Sequence, residues 1–222
     1  MNWEDEGYLL SKKKFRENAI IISAFTRSYG KITGIVYGGT SRKIKNYLQI
    51  ANKIFIINNS KNRNKLGYLK TEIIEAISPR YFNDKKRSYV LLSITELLNS
   101  LLPDEENYKN IYLSLDDLIN NLENKNWPII YSFWEVNLIK ELGFGFNTEK
   151  TNSSKDILSV NIDNIIYKVP KFIINKEIPE NYSKETINQA LSFTRNLLLN
   201  KFYIPNNMFL PKSRVFFENC FS

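Results

Sequence analysis

The chain has 222 residues, a formal net charge of +8 and a pI near 9.3, with 43% hydrophobic and 14% aromatic residues. That is enough apolar material for one large or two small cores, and it excludes an intrinsically disordered chain. Histidine is absent and Cys220 is the single cysteine. An intramolecular disulfide, a cysteine zinc cluster and every Ser–His or Cys–His nucleophile are therefore excluded.

The first 80 residues predict five strands, at 3–10, 19–27, 31–37, 48–58 and 65–76. Each is rich in β-branched and aromatic residues and bounded by polar residues or glycine. Tyr29-Gly30 predicts a tight hairpin between the second and third. Five short strands without an intervening helix suit a small closed barrel, and the OB-fold is the five-stranded candidate. From about Asn83 the period changes from two to 3.6. Val90, Ile94, Leu97, Leu98 and Leu101 mark a first helix, with Asn83 or Asp84 as its cap. Ile111, Leu115, Leu118, Ile119 and Leu122 mark a second. A third starts at Pro128 and stops at Gly143, and is apolar around most of its circumference. Residues 147–182 read as an irregular excursion rich in Asn, Ser and Lys. Ser183 caps a long helix, and a short one follows Pro211. The expected fold class is α+β: an N-terminal five-stranded OB-fold barrel over 1–80, then an all-helical C-terminal domain over 81–222.

Charge is segregated along this plan. Residues 1–80 hold 15 basic and 6 acidic residues, whereas 81–222 hold 16 and 17. Within 12–70 there are 14 basic residues and one acid, Glu17. Solubility needs no such segregation; a polyanionic partner explains it. Nine of these fourteen basic residues fall in three expected loops. Lys12, Lys13, Lys14, Phe15 and Arg16 lie between strands one and two, Arg42, Lys43 and Lys45 between three and four, and Lys61 and Arg63 between four and five. The first and last are the loops with which OB-folds grip oligonucleotides. Lysine suits unspecific phosphate contact. Tyr8, Phe15, Tyr29, Tyr37, Tyr47 and Tyr68 are interleaved with the charges and could stack on bases. Phe15 is the first choice, because it sits in a charged segment with little core to join.

Catalytic readings find no support. Gly38-Gly39-Thr40-Ser41 lacks the spacing of a phosphate-binding loop and reads as a turn. Asp116-Asp117 and Glu105-Glu106 fit a solvated helix face and a helix start. A metal nuclease needs clustered carboxylates in the basic region, where only Glu17 stands. No apolar run of membrane-spanning length exists, and the acidic start lacks the apolar core of a secretory signal. The expectation is a cytoplasmic binding protein with no enzymatic activity, no cofactor and no metal.

Several segments resemble the RecO recombination mediators. Trp3-x-x-Glu6-Gly7-x-x-Leu10-Ser11 is followed by Phe25-Thr26-Arg27-x-x-Gly30-Lys31 and by Gly34-Ile35-Val36-Tyr37-Gly38-Gly39-x-Ser41-Arg42. Phe133-Trp134-Glu135 through Leu142-Gly143-Phe144-Gly145 is similar to the family's FE-x-x-LL-x-x-LGYG helix, and Leu210-Pro211-Lys212-Ser213-Arg214 to its L-P-x-S-R stretch. The resemblance implies binding of single- and double-stranded DNA and annealing of complementary strands. It also implies two protein partners, RecR and the C-terminal tail of the single-stranded DNA-binding protein, with RecA loading as the output. Many members of the family carry a four-cysteine zinc site after the glycine-rich helix end, and this chain has no cysteine there. The alternative is an OB-fold RNA-binding or ribosome-associated factor, since charge alone does not separate RNA from DNA.

Overall fold

The computed structural model describes residues 2–59, 66–146 and 150–222. The chain divides into two compact units, 1–112 with 211–214, and 113–210 with 215–222.

In the first unit, β1 (Asn2–Arg16), β2 (Ala19–Thr26), β3 (Gly30–Tyr37), β4 (Lys53–Asn59) and β5 (Gly67–Glu75) close a barrel in the order β1-β2-β3-β5-β4. Alternation along the strands sends Leu9, Ile20, Ile22, Ala24, Ile32, Val36, Ile54, Ile56 and Leu69 inward. Burying one such aliphatic side chain fully stabilises the fold by about 1.5–3 kcal/mol. The barrel closes through a short parallel pairing, Gly34 with Gly67 and Ile35 with Tyr68. A Cβ at Gly34 would lie 2.6 Å from the Leu69 side chain, so only glycine lets β3 and β5 approach.

β1 is longer than its sequence suggests. Its first half pairs with β4, and both halves pair with β2 across register shifts at Leu9/Ser11 and Lys14/Arg16. Such shifts bend a strand and sharpen its twist. Between β3 and β4 the chain forms a six-residue helix, α1 (Arg42–Tyr47), where the sequence predicts only a connection. The buried Asn52 then links separate pieces: its amide donates to the Tyr47 carbonyl, and its Oδ1 accepts from the Ile77 and Ser78 backbone amides. Residues 48–52 are consequently a turn around Leu48, and β4 begins only at Lys53.

Helix α2 (Lys85–Leu101), capped by Asp84 through the Arg87 amide, packs on β1. Lys31 at the start of β3 donates to the Asn99 carbonyl and pairs with Asp104. Tyr112 lies against Tyr8 and Phe25, with ring centroids 5.7 Å apart in each case. These contacts carry the first compact unit beyond residue 80 to Tyr112.

Helix α3 (Lys109–Asn120) leads into the second unit, whose main helices are α4 (Trp127–Ile139) and α6 (Lys184–Leu198). Helix α4 is α-helical only to Ile139; a π-type turn, Lys140–Phe144, carries it on to the left-handed Gly143. Buried Glu135 on α4 accepts hydrogen bonds from Tyr131 at 2.6 Å and from Thr194 of α6 at 2.5 Å. Ser183 and Thr186 form a reciprocal cap at the start of α6. Phe217 of α7 (Lys212–Glu218) packs on Tyr131 at 4.8 Å.

The expected irregular excursion at 147–182 is corrected in part: 157–175 forms a hairpin and a short helix, which adds strands to an otherwise helical region. β6 (Ile157–Ile162) and β7 (Ile165–Pro170) form an antiparallel hairpin, followed by the short α5 (Lys171–Asn175). Asp163 and Asn164 both have positive φ, 50° and 65°. That is the turn geometry that matches the twist of a two-residue hairpin loop, and Asp and Asn tolerate it better than other side chains.

Candidate nucleic-acid interface

Of the residues predicted to contact nucleic acid, Lys12, Lys13, Lys14 and Lys45 are brought to one groove by two turns that meet. Residues 17 and 18 join β1 to β2, and 38–41 join β3 to α1. The Gly38 amide donates to the Asn18 carbonyl at 2.7 Å, and the Thr40 hydroxyl donates to the Glu17 carbonyl at 3.0 Å. Ser41 caps α1 by accepting from the Ile44 amide. Lys12, Lys13 and Lys14 are thereby set beside Lys45, around a groove of about 410 Å³ whose floor includes Ile20 and Leu48.

Lys12 to Arg16 stand on β1, which corrects their predicted place in a loop. The backbone of Lys12, Lys13, Lys14 and Arg16 is registered against Ile22, Ile21, Ile20 and Ala19 of β2. Low strand propensity in a lysine run is overridden because the ladder needs only backbone groups, and the side chains stay exposed. Arg42, Lys43 and Lys45 are exposed on α1. Lys61 and Arg63 fall outside the described residues.

Electrostatic pairing divides the cations of this unit. Arg27 and Lys53 pair with Glu6, Lys31 with Asp104, Arg80 with Glu75 and Arg87 with Asp84. Among the described residues, Lys12, Lys13, Lys14, Arg16, Arg42, Lys43 and Lys45 have no carboxylate within ion-pair distance. Glu17 is the one acid lining the groove. Lys12 turns its ammonium to the Leu48 carbonyl. Burial, and then the facing Lys45 charge, hold its pKa below the ordinary lysine value. Two ammonium groups held in mutual repulsion favour an anion between them.

The aromatic candidates separate by burial and by the partners they already have. Tyr8 is in the core, Tyr47 donates to the Thr71 carbonyl, and Tyr29 stacks on Trp3 at 4.3 Å. Phe15 remains 43% exposed, with the Arg16 guanidinium 5.1 Å from its ring centroid. Tyr37 and Tyr68 are also exposed, and they touch one another.

The family's zinc site has no counterpart here, because the residues do not fit it. Cys220 lies just beyond α7, and among the described residues no three of His, Cys, Asp and Glu are grouped to hold a metal. Other contacts hold the segment after α4. Thr151 and Asn175 exchange hydrogen bonds at 3.1 and 3.2 Å, and Lys171 donates to the Ser153 carbonyl at 2.8 Å. Phe172 packs edge-on against Phe133 of α4, and Asn200 donates to the Tyr167 hydroxyl.

Residues 1–77 match the family model described as Recombination protein O N terminal, and residues 83–163 match Recombination protein O C terminal. The DNA repair protein RecO of Roseobacter denitrificans is 31% identical over 172 residues, covering 77% of this chain and 69% of that protein. That of Rickettsia canadensis is 28% identical over 233 residues, covering 98% of this chain and 96% of its own.

Proposed function

The chain belongs to the RecO family, and from that premise we propose that it is a DNA-binding recombination mediator in DNA repair. The barrel domain, residues 1–80, takes single- and double-stranded DNA by its phosphates and anneals complementary strands. With RecR, the protein helps load RecA onto DNA coated by the single-stranded DNA-binding protein, whose C-terminal tail meets residues 81–222. It works in the cytoplasm at the nucleoid and catalyses no covalent step. Among the described residues no helix is long and apolar enough to cross a membrane.

The observation that carries this reading is the set of carboxylate-free cations on β1 and α1, whereas Arg27, Lys31, Lys53, Arg80 and Arg87 are each paired with a carboxylate. Phosphate contacts position a strand without reading its sequence. A strand held that way keeps its base edges free to pair, which is what annealing requires. Point charges on flexible stems also let the strand shift its register until complementarity is found.

The test is an annealing assay with complementary strands pre-coated by the cognate single-stranded DNA-binding protein. The protein should raise the annealing rate on coated strands, and matched DNA should outcompete RNA. No acceleration, or a clear preference for RNA, would replace this reading with an RNA-binding one.

A further inference from the structure

Tyr37 ends β3 and Tyr68 stands near the start of β5. Their side chains point away from the barrel core and are 51% and 50% exposed. The two ring centroids are 5.2 Å apart, with the planes inclined by 32°. Cations lie next to them. Across the sheet Arg16 opposes Ala19, and Ala19 opposes Tyr37. A hydrogen bond with Tyr68 raises the pKa of the Tyr37 phenol, and the Arg16 charge opposes that rise only in part. From Tyr37 the chain passes through the 38–41 turn directly into Arg42 and Lys43. Two neighbouring aromatic side chains are thus open to water, with carboxylate-free Arg16 across the sheet and Arg42 and Lys43 a few residues further along the chain.

We infer that Tyr37 and Tyr68 form a base-stacking platform that selects unpaired strands over duplex. The inference rests on the DNA-binding reading above and adds strand selectivity to it. An unpaired base can lay its π-face on an aromatic ring, whatever its identity, whereas a base in a duplex has its faces covered by its neighbours. Arg16, Arg42 and Lys43 hold the phosphates on either side of the stacked bases. Annealing then removes the strand from the platform, because pairing withdraws the faces that held it.

The competing duty for the pair is to brace the junction of β3 and β5, and the two duties differ in what they predict. The experiment compares the full chain with Tyr37→Thr/Tyr68→Thr and Tyr37→Phe/Tyr68→Phe. Three probes are used at one length: oligothymidine, the same backbone with abasic sites, and duplex DNA. The threonine variant should bind oligothymidine more weakly by roughly 5- to 150-fold for each base stacked. Its affinity for duplex and for the abasic strand should be unchanged, and the phenylalanine variant should match the parent throughout. Equal losses on all three probes, or a phenylalanine variant as impaired as the threonine one, would assign the pair to bracing. If the parent binds all three and the threonine variant does so equally well, the platform alone is refuted. If the parent binds none, the DNA-binding reading falls and the platform with it. Should the threonine variant unfold, the parent decides: equal affinity for abasic and thymidine strands would refute stacking.

Discussion

Replacing Lys13, Lys14, Arg42 and Lys43 with alanine removes four exposed charges that neither pair with a described carboxylate nor brace the fold. Lys12 is left in place because it holds the Leu48 carbonyl, and Arg16 because it covers Phe15. If each of the four neutralises one phosphate, the log–log salt slope for single strands should shrink by about 2.8, at about 0.7 per contact. The same coefficient predicts an affinity loss of about 600-fold at 0.1 M salt and about 90-fold at 0.2 M. Exposed substitutions of this kind each change stability by no more than about 0.5 kcal/mol. Melting should therefore move by at most about 4–8 °C, since 1 kcal/mol corresponds to about 2–4 °C for a chain of this size. Fluorescence anisotropy across a salt series, with thermal unfolding in parallel, measures both. Parallel salt lines for parent and variant would refute the phosphate grip, and so would a variant that unfolds.

Three further outcomes are expected. A phosphate near Lys12 favours its charged form, so DNA binding should take up a proton where the free group is already partly neutral; affinity should fall as pH rises in the alkaline range below 10.5, and Lys12→Arg should flatten that fall in titrations at constant salt. Gly34→Ala drives a methyl against Leu69 at the barrel closure and should cost about 1–3 kcal/mol in chemical denaturation; an unchanged midpoint would mean that β3 and β5 separate freely. In the β6–β7 turn, Asn164→Val places a β-branched residue at φ 65° and should cost about 1–2 kcal/mol, whereas Asn164→Gly should be neutral or stabilising by the same measurement.

The barrel was readable because its inward residues recur at period two, from Ile20-Ile22-Ala24 on β2 to Ile54-Ile56 on β4. The helices were readable through their apolar stripes and caps, and Asp84 and Ser183 both cap as expected. What escaped was decided by tertiary structure or by very short signals. The run Ser11 to Arg16 has no apolar alternation, and it is a strand only because β2 offers backbone partners. Helix α1 has six residues and no buried side chain, too little for a helical period to register. The hairpin did leave a trace, Asp163-Asn164 between two isoleucine-rich runs, which the polar composition around it obscured. For the site, the sequence reading picked out cations by their expected loops, but not the ion pairs that occupy others. Lys31 and Lys53 look like Lys13 and Lys14 in one dimension, and only the fold assigns the first two to Asp104 and Glu6.

The parallel closure also sets where the barrel breathes. β2 and β3 are registered along eight residue pairs, from Ala19–Tyr37 to Thr26–Gly30. Between β3 and β5 the described residues supply only Gly34–Gly67 and Ile35–Tyr68. Local opening draws on the least-bonded junctions first, so amide hydrogens at 34–35 and 67–68 should exchange with solvent ahead of those on β2. Tyr68 belongs to one of those two rungs. A strand of DNA resting on it would act as a latch across the junction, and the same amides would report its arrival by slowing their exchange.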